Sequence, residues 1–300
     1  MKDLKYLVAY LVPLLTIYSL HERGYLAYST AILVFLIIPI FELFYKGTDK
    51  NLDEEKARLK SGQKYFDMLL YLNIPLVYGI VIYFLYVFHN YNVSGFETVG
   101  LILAVGTTLG SAGINVAHEL GHRNQSYHKF MSVLLLLPSL YCHFIIEHNL
   151  GHHKNVGTDE DPASAKKNEP IYLFWIRSVT GSYTNAWKLE HKRLKSASID
   201  VLSIQNKMIL FSILQLVFVA AIYIYAGAFV LLLYLICAIQ SFLLLETINY
   251  VEHYGLRRKK LESGRYERVE ARHSWNSNHD LGRIFLYELT RHSDHHYLAN

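Results

Sequence analysis

Cysteine is nearly absent. The 300 residues hold two, Cys142 and Cys237, both inside apolar stretches. Their placement excludes a disulfide framework and a cysteine-based zinc cluster and points to two buried thiols. Internal repeats and low-complexity tracts are missing too. No small-residue cleavage site follows the first apolar run after Lys2 and Lys5, so that run is expected to stay as a helix rather than leave as a signal peptide. Charged residues make up only 18% of the chain, and a net charge of +4 gives no reason to expect a nucleic-acid partner.

What is present is apolar sequence in long blocks. A helix needs about 20 such residues to cross the hydrocarbon of a bilayer. Six blocks approach this length: Tyr6–Leu20, Tyr25–Phe44, Phe66–Phe88, Phe96–Val116, Ile209–Tyr225 and Ala228–Leu245. The first is short and contains Pro13. The pattern predicts an all-α integral membrane protein with about six transmembrane helices, forming a single domain over 1–300. Basic residues gather at Lys2 and Lys5 and again at Lys46, Lys50, Lys56, Arg58, Lys60 and Lys64. The connections near His21–Gly24, His89–Gly95 and Gly227 hold one arginine among them. By the positive-inside rule the N-terminus and the first long connection are cytoplasmic, and six spans return the C-terminal region to that side. The expected location is the inner (cytoplasmic) membrane. Lys129–Ile146 is also apolar but is broken by Pro138, and it reads as a re-entrant or interfacial helix. Asp161–Lys167 is polar and reads as a surface loop.

Nine of the 16 histidines stand in four clusters at or near the ends of apolar segments: His118 and His122; His148, His152 and His153; His253; and His292, His295 and His296. Neutral imidazole is the commonest metal ligand. Residues four apart share a helix face, so His118 with His122, and His148 with His152, can each aim at one ion. Adjacent helix positions point about 100° apart, which lets His152 and His153 serve different ions. Nine ligands exceed what one ion holds, so a dimetal site on the cytoplasmic side is expected. Glu119, Glu147, Glu252 and Asp294 each neighbour a ligand and are candidates for orienting an imidazole N–H or offsetting the charge of the ions. Imidazole sites suit zinc, copper, iron or nickel, and open positions for O₂ would favour iron. His118-Glu119-Leu120-Gly121-His122 alone also fits an intramembrane zinc protease with Glu119 as base, but leaves seven histidines unused. His21, His89, His128, His143, His191, His273 and His279 read as surface or hydrogen-bonded core residues, with His273 and His279 in reach of a supporting role.

These boxes carry a resemblance. The chain resembles the membrane-bound alkane 1-monooxygenases, integral-membrane relatives of the fatty-acid desaturases, over nearly its whole length. The matching segments are His118–Arg123, Glu147–His153, Asn249–Gly255 and Leu289–His296. Asn249-Tyr250-Val251-Glu252-His253-Tyr254-Gly255 is the most specific and argues against a desaturase. Arg123 and Thr290 stand where lysine and glutamine are usual; neither is a ligand. The family usually continues beyond the third box, so a truncated C-terminus is expected. The resemblance implies hydroxylation of the terminal methyl of a medium- or long-chain alkane, taken from the bilayer, by O₂ at two non-haem iron ions. Rubredoxin and its reductase would supply the electrons. A related desaturase or another hydrocarbon hydroxylase is the alternative.

Two further features have two readings each. Gly100, Gly106, Gly110, Ser111, Ala112 and Gly113 form a small-residue stripe leading to His118, suited to close helix packing or to a groove for an apolar chain. Arg257, Arg258, Lys259 and Lys260 suit contact with anionic membrane lipid or docking of an acidic electron donor.

Overall fold

The computed structural model describes residues 2–45, 47, 63–291 and 293. Lys46, Lys50, Lys56, Arg58 and Lys60 lie outside the described residues, as do His292, Asp294, His295 and His296. Five helical stretches among the described residues are long and apolar enough to cross a membrane. They are α1 (Asp3–Glu22), α2 (Gly24–Phe44), α3 (Lys64–Asn90), α4 (Gly95–Gly121) and, further along, Lys207–His253. Between the last two lie α5 (Ser126–Leu136), α6 (Phe144–Glu147) and α7 (Ile171–Ser196). Lys207–His253 is α8, and the short α9 (Asp280–Phe285) follows.

The 47 residues of α8 would measure ~70 Å, more than twice the ~30 Å of bilayer hydrocarbon. Gly227 divides them: its φ of 81° and ψ of 175° break the helix between the two blocks predicted there. A side chain at this left-handed φ would be strained, which is why glycine stands at the join. Lys129–Ile146 is broken as expected. Helix α5 stops at Leu136, Leu140 takes a positive φ of 53°, and α6 begins only at Phe144. Tyr234 Oη donates to the Pro138 carbonyl at 2.5 Å.

The chain forms two compact units. The first holds Met1–Ser139, Ile222–Ser241 and Ser277–Thr290. Buried hydroxyls staple three of its helices: Thr16 Oγ1 lies 2.7 Å from Thr108 Oγ1 and 3.0 Å from Thr30 Oγ1. A capping box at Ser94 and Glu97 starts α4, and Glu97 also accepts from the Gly24 amide that opens α2. The small-residue stripe serves packing where its neighbours are visible. A Cβ on Gly100 would fall 2.9 Å from the Ala27 carbonyl carbon, and one on Gly106 would meet Gln240, whose Nε2 donates to the Leu103 carbonyl.

The second unit holds Leu140–Ala221, Phe242–Asn276 and Arg291–Asn300. Its organising element is α7, which the hydropathy pattern does not reveal. Phe174, Ser178, Ser182, Ala186, Glu190 and Leu194 form its buried stripe, every fourth residue, with small residues at its centre. Its other faces carry Lys188, Lys192 and Lys195, so no apolar block marks it. Asp161–Lys167 is not a surface loop. Asp161, Ala163, Ser164 and Ala165 are buried, because the Asp161 carboxylate accepts from Ser164 Oγ and the Ala163 amide and draws the backbone inward.

Two glycines should respond oppositely to alanine. Gly100→Ala should lower stability by ~1–3 kcal/mol, since backbone must move to admit the methyl. Gly79 in α3 has no neighbour within 4 Å of an added Cβ. Gly79→Ala should be neutral or gain up to ~1 kcal/mol from helix propensity. Thermal unfolding in detergent reads both, and equal effects would contradict the packing described.

Candidate metal centre

The last turns of α4 carry the first histidine pair. A wide π-type turn at Leu109–Ile114 precedes the regular turns Asn115–Gly121. His118 and His122 stand four residues apart and bring their Nε2 atoms to 3.2 Å. Ser132 Oγ on α5 donates to the Ala117 carbonyl at 2.6 Å, holding this end of α4 in place. Arg123 hydrogen-bonds Asp67 on α3 and lies 3.8 Å from Glu119. Thus Glu119, half exposed, is turned towards arginine. A cavity of about 820 Å³ in this unit reaches His122, with Asp67, Glu119, Arg123, Tyr127 and His128 in its lining.

The second unit carries the larger group. His148–His152 form another π-type turn at the end of α6. In such a turn the residue above position i is i+5 rather than i+4. The pair that forms is therefore His148 with His153, Nε2 to Nε2 3.0 Å, and not His148 with His152. His152 turns elsewhere: its Nδ1 lies 3.0 Å from Asp161 Oδ2, and its ring centroid is 4.9 Å from that of His253. His253 is fully buried, with Nδ1 3.4 Å from Ser274 Oγ. His152 and His153 thus face apart, as their adjacency predicts.

The chemistry of these donors fits a metal. Two imidazole nitrogens 3 Å apart repel unless a proton or a cation stands between them, so the His118–His122 pair of the first unit and the His148–His153 pair of the second are each suited to ligate an ion. Asp161 occupies His152 Nδ1, which directs the lone pair of Nε2 outward as in carboxylate–histidine–metal arrangements. Burial opposes charge on both members of this pair. Even so, the facing charges hold Asp161 below the ordinary carboxylate range and His152 above the ordinary imidazole value.

Among the carboxylates picked out from sequence, Glu147 is buried and accepts from Asn185 Nδ2 at 3.1 Å. Burial, with Asp161 nearby, pushes its pKa up to about 8. Gly151 leaves room for this contact, since a Cβ there would lie 2.6 Å from Glu147 Oε1. Glu252 is buried, and its carbonyl accepts from the Trp275 amide. Asp294, His292, His295 and His296 lie outside the described residues. His273 spends both ring nitrogens locally, Nδ1 accepting from the Glu270 amide and Nε2 lying 3.2 Å from Glu267. His279 is exposed, as are His21, His89 and His191. His128 is hydrogen-bonded core, 2.6 Å from Tyr71 Oη. His143 is buried, but its Nε2 has no hydrogen-bond partner among the described residues.

Two residues escaped the sequence reading. Asp161 follows His152 by nine positions with no helical or box spacing to mark it. Glu246, two turns before His253, is buried and accepts from Tyr141 Oη at 2.8 Å and Ser178 Oγ at 2.5 Å. Its spacing of seven from His253 was the available signal. Arg258, from the basic run with two readings, donates to the carbonyls of Lys154 and Glu267 and braces the chain just after His153. Lys259 and Lys260 are exposed.

Comparison with known proteins agrees with this donor chemistry. The profile of the fatty acid desaturase family matches residues 94–300, the part that bears every histidine box. Alkane 1-monooxygenase 1 of Alcanivorax borkumensis is 34% identical over 286 residues, 95% of this chain and 70% of that protein. Alkane 1-monooxygenase 1 of Pseudomonas aeruginosa is 37% identical over 275 residues, 91% of this chain and 72% of its own. The xylene/toluene monooxygenase hydroxylase component XylM of Pseudomonas putida is more distant, at 25% over 251 residues, 83% of this chain and 67% of that one. A desaturase-type histidine scaffold whose full-length similarity runs to hydroxylases, and more strongly to those named for alkanes, places the chain in the alkane 1-monooxygenase family of membrane oxidoreductases.

Proposed function

We propose that the chain hydroxylates the terminal methyl of medium- or long-chain alkanes to 1-alkanols, with O₂, two non-haem iron ions and electrons from rubredoxin and its reductase. The observation that carries this reading is the pair of close imidazole contacts, part-buried His118 with His122 and buried His148 with His153, in a chain of this family. In this reading the two pairs, with His152, His253, His292, His295 and His296, hold both ions. The whole of 1–300 then works as one hydroxylase domain, with six spans and the histidines on the cytoplasmic side of the inner membrane. Held by these histidines, iron would supply the redox chemistry that O₂ activation and C–H hydroxylation require.

The chain's own contribution is to position and to insulate. Asp161 accepts the Nδ1 proton of His152 and leaves Nε2 free to coordinate. Buried Glu147, Asp161 and Glu246 offset the charge of two cations, which would otherwise be costly to bury. The alkane reaches the site from the bilayer, where it partitions.

Detergent-purified protein should contain about two non-haem irons per chain, visible by Mössbauer spectroscopy. With rubredoxin and reductase it should convert an n-alkane to the 1-alkanol. One zinc and no iron, in protein made with iron available, would instead favour the protease reading of Glu119. Desaturated or ring-hydroxylated products would move the assignment to a sister activity. Asp161→Asn should lower iron affinity or turnover about 10- to 100-fold, the usual cost of losing a carboxylate behind a ligating histidine. Iron titration of the folded variant reads this. For topology, alkaline phosphatase fused after Asn92 should be active and after Asn206 inactive. The reverse pattern would move the histidines to the other face.

A further inference from the structure

A line of aromatic rings leaves His148 within the second unit. The Phe144 ring stacks on His148 at 4.8 Å between centroids and on Tyr141 at 6.2 Å. Tyr141 lies edge-on to His143 at 4.4 Å, and His143 edge-on to Tyr183 at 5.2 Å. Tyr141 is 2% exposed, whereas Tyr183 is 42% exposed. The line thus runs from a candidate metal ligand to an accessible phenol.

The hydrogen bonding along the line is selective. Tyr141 Oη donates to Glu246 Oε1 at 2.8 Å. Ser178 Oγ and Asn249 Nδ2 also face this carboxyl group, at 2.5 and 3.4 Å, and fix its orientation towards Tyr141. A phenol gives up an electron far more readily when its proton has a base to go to, and Tyr141 has one. His143 by contrast is held by ring contacts, with Nε2 unpartnered among the described residues. Burial lowers its pKa to about 4, so its ring is neutral. A histidine kept here for its polarity would be hydrogen-bonded; one kept as a conjugated ring between two phenols need not be.

We propose that Tyr141, with Glu246 as its proton acceptor and Tyr183 as its outlet, drains oxidising equivalents from the histidine centre when oxygen is activated without alkane in place. The inference rests on the oxygenase reading above. In one passage Tyr141 loses one electron to the oxidised centre through Phe144 and His148. Its phenolic O–H breaks and the proton moves to Glu246, leaving a neutral tyrosyl radical and a protonated carboxyl. An electron from Tyr183 then refills Tyr141 through His143, and the proton returns from Glu246. Tyr183 releases its own proton to its surroundings and is restored by an external one-electron donor of the thiol or ascorbate class, with a proton. Two passages discharge a two-electron oxidant. Phe144 and His143 act as bridges and are not themselves oxidised.

The test uses full-length protein in two arms. In the first, iron-loaded protein that makes alkanol is reduced and mixed with O₂ without alkane, then freeze-quenched for electron paramagnetic resonance. A tyrosyl radical is expected, altered by ring-deuterated tyrosine, lost in Tyr141→Phe and longer-lived in Tyr183→Phe. Tyr141→Phe, with iron content retained, should inactivate severalfold sooner and carry added oxygen on Phe144 or His148 by peptide mass spectrometry. A radical unchanged in Tyr141→Phe, or equal inactivation and damage in variant and parent, overturns the proposal. The second arm needs no metal. A ruthenium photo-oxidant tethered at Tyr183→Cys in metal-free protein should send the hole inward to Tyr141, with the radical lost on adding Tyr141→Phe. No Tyr141 radical in that arm overturns the path whatever the centre does. A radical there, from protein that makes no alkanol when loaded with iron, supports the path and overturns the function proposed above.

Discussion

Two imidazole nitrogens brought to about 3 Å must share either a proton or a cation. Each carries a lone pair or a proton, and neither like arrangement is favourable without something between them. Both compact units contain such a contact, and much of their local structure holds it closed. In the first unit, Ser132 grips the Ala117 carbonyl and Arg123 ties the end of α4 to Asp67. In the second, Gly151 lets Glu147 and Asn185 meet, and Arg258 pins the backbone beyond His153. These contacts resist relaxation of the histidines in the absence of an ion. A site held this way is preorganised, so little of the binding energy of an ion is lost to ordering its ligands.

The second unit buries an unusual number of carboxyl groups. Asp161, Glu147 and Glu246 are all at most 3% exposed. An isolated carboxylate at such depth is strongly disfavoured, so each is surrounded by donors: His152 and Ser164 for Asp161, Asn185 for Glu147, Tyr141 and Ser178 for Glu246. Three carboxylates are more than hydrogen bonding alone would call for. They make sense opposite divalent cations, where their desolvation is offset by charge. The polarity of α7 follows from this. Its Ser178 and Asn185 serve the buried acids, and Ser182 and Ala186 keep its stripe small enough for close approach.

Much of this was legible in the sequence. The apolar blocks lie within the helical stretches found, Gly227 divides the last two, and Pro138 marks a break. The His118–His122 pair follows from helix periodicity alone. What was not legible has physical reasons. Helix α7 is buried by small and polar residues, so hydropathy is silent about it. Asp161 sits in a stretch whose composition is that of a surface loop, and only its tertiary partner reveals it as core. The pairing of His148 with His153 depends on a π-type turn, which no residue in the motif announces. Arg258 looked like one of four equivalent basic residues until its carbonyl partners were seen.

The π-type turns explain how helices that must pack tightly can also present ligands. An α-helix that offers Gly100 and Gly106 to its neighbours would continue that face at a fixed angle into its last turns. Inserting one residue turns everything beyond it by about 100°. The wide turn at Leu109–Ile114 stands between the two jobs of α4, with packing glycines before it and His118 and His122 after it. The same device at His148–His152 separates His153 from His152, so that one ring joins His148 and the other joins Asp161 and His253. Such turns weaken a helix locally and persist where surrounding contacts select them. Here the contacts that select them are those that hold the histidines, so the irregular backbone and the donor geometry stabilise one another.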